Sequence, residues 1–70
     1  MILRKDADGY VRDENGDAYG QTDLDVFWSL YREFNVPHRP AMSMTNSLFN
    51  GATIFVALDD GHYNWTWEIV

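Results

Sequence analysis

The fold class turns on TDLDVFWSLYREFN, residues 22–35. Leu24, Phe27, Tyr31 and Phe34 recur at helical spacing, and Trp28 and Leu30 widen the apolar stripe. Thr22 is a good N-cap, and Asp25 stands three residues on, where the acid of a capping box belongs. Asp23 and Asp25 fall in the first turn, where the macrodipole favours anions, and Arg32 falls near the last, where it favours cations. Pro37 and Pro40 then stop the chain from continuing as helix. The spacing therefore predicts one amphipathic helix over residues 22–35.

Downstream, residues 52–58 and 62–69 read as a hairpin. With Asp60-Gly61 as a two-residue turn, Leu58 faces Tyr63, Val56 faces Trp65 and Ile54 faces Trp67. That register gathers Ala52, Ile54, Val56, Leu58, Tyr63, Trp65, Trp67 and Ile69 on one face, and a one-residue slip would destroy it. Residues 41–49 fit a helix opened by Pro40. Met42, Met44 and Leu48 fit equally well a strand closed by an Asn50-Gly51 turn. Ser, Thr and Asn are mediocre in helix interiors, which favours the strand. Upstream, Ile2–Lys5 reads as a short strand, Asp8-Gly9 as a turn, and Tyr10–Arg12 as a return strand. Asn15-Gly16 marks a second turn before Ala18 and Tyr19. An amphipathic helix with antiparallel strands makes an α+β domain spanning residues 1–70.

Seventy residues lie near the lower limit for independent folding, and no cysteine is present to staple them. Four Phe, four Tyr and three Trp compensate, since each buries a large area. The N-terminus lacks the apolar run of a signal peptide, and no segment approaches the ~20 apolar residues of a membrane span. A cytoplasmic protein is the expectation. Membrane-surface binding is disfavoured, because anionic lipid repels acids.

The charge is concentrated. Asp6, Asp8, Asp13, Glu14, Asp17, Asp23 and Asp25 stand against Arg12 alone, which accounts for the whole net charge of −6. Elsewhere four acids cancel four bases. An EF-hand reading of Asp13-Glu14-Asn15-Gly16-Asp17 fails, because Ala18 and Leu24 occupy the positions that need Gly and a bidentate Glu. A looser oxygen-ligated cation site stays open, though no metal ligand is assigned. For catalysis the chain offers His38 and His62, no nucleophile elbow and no phosphate loop. It reads as a non-enzyme without a cofactor. Direct nucleic-acid binding through Trp65 and Trp67 lacks the basic groove that phosphates require.

Two readings of the acids remain. In one they are solvated and keep an aromatic protein soluble. The chain is then a small structural or adaptor module, binding through an apolar patch that includes Phe55, Met42 or Met44. In the other they imitate nucleic acid. Duplex DNA carries one charge per ~1.7 Å of axis, and carboxylates two apart on a strand, such as Asp6 and Asp8, lie ~6.6 Å apart on one face. Asp23 and Asp25 extend that array, while Tyr10 and Tyr19 supply packing anchors.

The 70-residue length, the absence of Cys, the aromatic core and the Asp6–Asp25 acidic block resemble the small anti-CRISPR and anti-restriction DNA mimics that bacteriophages encode. The resemblance implies a non-enzymatic inhibitor acting in the cytoplasm of the host cell. Its implied partner is a basic nucleic-acid-binding surface, such as the large subunit of a type I CRISPR surveillance complex. Asp6, Asp8, Tyr10, Asp13, Glu14, Asp17, Tyr19, Asp23 and Asp25 are the partner-binding residues expected from this reading. Many DNA mimics spread acids over most of their surface. A localised block suits a short site, such as the groove that reads the motif flanking the target.

Overall fold

A computed structural model describes residues 1–59 and 64–70. The elements run β1 (Ile2–Lys5), β2 (Val11–Asp13), β3 (Ala18–Gly20), α1 (Asp23–Glu33), α2 (His38–Phe49), β4 (Ile54–Asp59) and β5 (Asn64–Ile69). The strands form one antiparallel sheet in the order β3-β2-β1-β4-β5. The protein is an α+β domain. Both helices lie on one face of the sheet, α1 against β3 and α2 against β1 and β4. Between the layers, Leu3, Val11, Val26, Leu30, Val36, Ala41, Met44, Leu48, Ile54 and Val56 are buried. Burying each Val, Leu, Ile or Met side chain among these stabilises the fold by roughly 1.5–3 kcal/mol before chain entropy is counted.

The first helix begins where expected: Asp25 N–H donates to Thr22 Oγ1 at 3.2 Å. It ends at Glu33 with Phe34 as C-cap, and Asn35 follows at a φ of 55°, the left-handed conformation that Asn tolerates, so that Val36 N–H donates to the Leu30 carbonyl at 3.0 Å. Its buried face differs from the expected stripe. Val26 and Leu30 enter the core and Phe27 and Phe34 are partly covered, whereas Leu24, Trp28 and Tyr31 remain exposed.

Residues 41–49 correct the strand expectation, for they belong to α2. Ala41, Met44, Thr45 and Leu48 are buried at the i, i+3, i+4, i+7 spacing of a helix face. Burial of that stripe outweighs the mediocre propensity of Ser, Thr and Asn. Pro40 is tolerated because the first turn has no intrahelical acceptor for its missing N–H. Thr45 meets its own polar requirement by donating from Oγ1 to the Ala41 carbonyl at 2.7 Å.

The C-terminal hairpin forms, with its register shifted by two. Val56 faces Trp67 and Ile54 faces Ile69, not Trp65 and Trp67 as expected. A slip of two keeps every side chain on its original face, so the apolar pattern could not distinguish the two registers. The expected Asp60-Gly61 turn, and the pairings of His62 and Tyr63, lie outside the described residues.

Candidate functional site

Three pieces of local structure carry the seven acids. Asp6 and Asp8 sit in the turn between β1 and β2, a placement that corrects the expectation of a strand. β1 ends at Lys5, and Asp6 N–H donates to the Tyr10 carbonyl at 2.8 Å to close the turn. They are not an array at phosphate spacing, because both carboxylates converge on Arg12. Its guanidinium lies 3.2 Å from Asp6 and 2.8 Å from Asp8, and Arg4 adds a contact to Asp6 at 3.2 Å. Two cations thus neutralise two acids. The Arg12 contact holds the Asp8 carboxyl below its usual range, with the Tyr10 N–H contributing. Tyr10 is exposed, with the Arg12 guanidinium 5.2 Å from its ring centre.

The second group occupies the turn between β2 and β3. Asp13 accepts from the Asn15 N–H at 2.9 Å and the Asp17 N–H at 3.0 Å, the role Asp plays in an Asx turn. Its other oxygen accepts from the Tyr19 hydroxyl at 2.5 Å. That hydroxyl is the main reason the Asp13 carboxyl stays below the usual carboxylate range. Glu14 reaches back to β1 and accepts from the Ile2 N–H at 2.5 Å, which lowers its pKa in turn. Asp17 is exposed. No salt bridge engages Asp13, Glu14 or Asp17 among the described residues.

Asp23 and Asp25 form the third group, at the N-terminus of α1, where exposed N–H groups favour anions. They reach the β1–β2 end of the sheet because β3 ends beside Val11, its partner being Gly20. Gly20, at φ 152°, lets the helix start close against the strand. A Cβ there would stand 2.6 Å from Asp25 Cβ and 3.1 Å from the Val26 nitrogen. Gln21 Nε2 donates to the Asp8 carbonyl at 3.4 Å across the same junction.

The acids therefore occupy two ends of a short sheet. Asp6, Asp8, Asp23 and Asp25 lie at one end, and Asp13, Glu14 and Asp17 at the other. Three residues of β2 separate the ends, roughly 10 Å. After the Arg4 and Arg12 pairs are discounted, Asp13, Glu14, Asp17, Asp23 and Asp25 carry five of the six net negative charges. Tyr19 is partly buried, packs at a tilt against Phe34 with ring centres 5.5 Å apart and directs its hydroxyl to Asp13.

A second feature escaped the sequence reading. A groove of about 270 Å³ runs between α1 and α2, lined by Asp23, Leu24, Phe27, His38, Met42 and Thr45 among others. Phe27 stacks on Tyr31 at 5.8 Å, and His38 packs edge-on against Phe27 at 5.2 Å. The signal was present in the width of the stripe. Apolar residues at 24, 26, 27, 28, 30, 31 and 34 surround most of a helix, and one sheet covers only one side of it. Met44, offered with Met42 and Phe55 as a surface residue, is instead fully buried.

No group of three or more His, Asp or Glu is placed to hold a metal among the described residues. No helix among them is long and apolar enough to cross a membrane. The chain matches no family model, no curated protein and no solved structure.

Proposed function

We propose that this protein is a non-enzymatic acidic inhibitor. It docks on a Lys/Arg-rich nucleic-acid-binding surface of a host defence complex and blocks access of target DNA, as an anti-CRISPR protein does to a type I effector. The observation that carries this reading is the group of acids within the Asp6–Asp25 block left without a salt bridge among the described residues, Asp13, Glu14, Asp17, Asp23 and Asp25. They are fixed by turn and helix-terminus geometry rather than carried on a tail. Preset charges of one sign speed encounter with an opposite surface and fix its register. With Asp6 and Asp8 internally paired, the docking charge is concentrated on the β2–β3 turn and the start of α1, with exposed Tyr10 as the aromatic anchor.

The test uses Asp17→Lys combined with Asp25→Lys, two exposed positions outside the core. Binding to a purified type I effector, read by displacement of its target DNA, should weaken on the order of 10–100-fold. Thermal melting should show that the fold is kept. Wild-type affinity should also fall steeply between ~50 and ~200 mM salt. Unchanged affinity in the double variant would sink the proposal.

The exposure of Leu24, Trp28, Tyr31 and Met42 supports a second reading, an adaptor that binds through the α1–α2 groove. In that case Leu24→Ser with Met42→Ser removes binding, while the charge reversals leave it intact and salt has little effect.

A further inference from the structure

The two edges of the sheet are unlike. β3 has three residues, its pairing with β2 shifts register between Val11 and Arg12, and α1 packs against it. Shortness, irregularity and a covering helix are the usual protections of an edge. β5 has six residues in unbroken register, without Pro, Lys or Arg, and Glu68 is its one charge. Ile69 and Val70 are 62% and 65% exposed.

The backbone groups on the outer side of β5 follow from the ladder. Val70 N–H donates to the Thr53 carbonyl at 2.9 Å, so Val70 faces β4. Pairs alternate along an antiparallel ladder, which places Glu68, Thr66 and Asn64 facing β4 as well. Val56, opposite Trp67, instead exchanges hydrogen bonds with Met1 on its other side, at 2.8 and 2.9 Å. The N–H and C=O groups of Trp65, Trp67 and Ile69 therefore point away from β4, presenting three donors and three acceptors to an edge that no other strand among the described residues pairs.

We infer that this edge pairs with a second copy of the same chain, β5 against β5 antiparallel, to make one ten-stranded sheet. A two-fold axis at Trp67 sets Trp67 opposite Trp67, Trp65 opposite Ile69 and Thr66 opposite Glu68. All six outward backbone groups are then used on each strand, and no like charges stand directly opposite. Charge placement also identifies the occupant. A basic strand would find only Glu68 here. A second copy brings an equally sparse edge, with each Glu68 opposite Thr66 and diagonal to the other Glu68. The acid-bearing turns lie farther off: β1, the strand of that group nearest β5, is two strand spacings away, about 10 Å. In the paired sheet the two β1 strands stand five spacings apart, about 24 Å, against a Debye length of ~8 Å. Most of the repulsion between two charges of −6 is therefore screened in this arrangement. The inference is independent of what the acids bind.

Two measurements test it. Sedimentation equilibrium of the intact protein from ~1 μM to ~1 mM should show mass rising to twice that of the chain. The chain has no cysteine, so introduced thiols report register cleanly. Thr66 and Glu68 are exposed and would form non-hydrogen-bonded pairs with Cα atoms ~4.5 Å apart, close enough for a disulfide. Thr66→Cys or Glu68→Cys alone should remain uncross-linked under mild oxidation, whereas a mixture of the two should yield the covalent dimer. A monomer at every concentration, or a mixture that stays uncross-linked, overturns the inference. Should either variant fail to fold by circular dichroism, the wild-type sedimentation decides.

Discussion

Tyr19 joins the β2–β3 turn to the core, and its hydroxyl is the main reason Asp13 stays ionised into acid. A carboxyl lowered in the folded state contributes stability that is fully present above its unfolded pKa, here 3.8. That contribution disappears as pH falls through the lowered value. The melting temperature of Tyr19→Phe should therefore lie below wild type at pH 7, and the gap should narrow as pH drops below about 4. A gap that holds constant to pH 2 would contradict this role for the hydroxyl. Tyr19 itself shifts upward, through burial first and Asp13 second, so its share of stability is lost only as pH climbs above 10. The turn was legible from Asn15-Gly16. The Asp13–Tyr19 bond was not, because it depends on which face of a three-residue strand Tyr19 takes.

At the scale of elements, α1 was readable from its cap and period, but the face it buries was not, since Val26 and Leu30 enter the core while Leu24 and Tyr31 stay exposed. In α2 local signals and tertiary packing conflict. Its sequence carries weak helix formers, and only the burial of Ala41, Met44, Thr45 and Leu48 against β1 and β4 decides the outcome. The hairpin register failed for a different reason, since a period of two is blind to a two-residue slip. The β3–α1 junction makes a sharper prediction. Gly20→Ala places a Cβ 2.6 Å from Asp25 Cβ at a backbone φ of 152° that side chains rarely adopt. The substitution should cost about 1–3 kcal/mol in denaturant unfolding, with an unchanged m-value. A neutral result would mean that the helix start moves away from the strand at no cost.

For the whole molecule, a net charge of −6 on 70 residues makes self-repulsion a standing cost. The pairs of Arg4 and Arg12 with Asp6 and Asp8 range from partly covered to exposed, and ion pairs so open to water and salt contribute little. Repulsion wins, and the melting temperature should rise as NaCl increases from ~20 to ~500 mM. A fall would show that the ion pairs dominate. The same screening should weaken an acid-mediated complex, so one salt series moves stability and proposed binding in opposite directions. Charge was the most legible property of this sequence, whereas its division between two ends of the sheet required the strand order.

That strand order also governs how the chain comes into being. β1 precedes the other four strands in the chain and is the middle strand of the sheet, pairing with β2 nearby and with β4 some fifty residues later. Until Ile54 and Phe55 leave the ribosome, β1 has a vacant side and Leu3 lacks its neighbour across the seam. β1, β2 and β3 can pair with one another locally, but the seam with β4, and the share of the core that Ile54 and Val56 supply, must wait for that later strand.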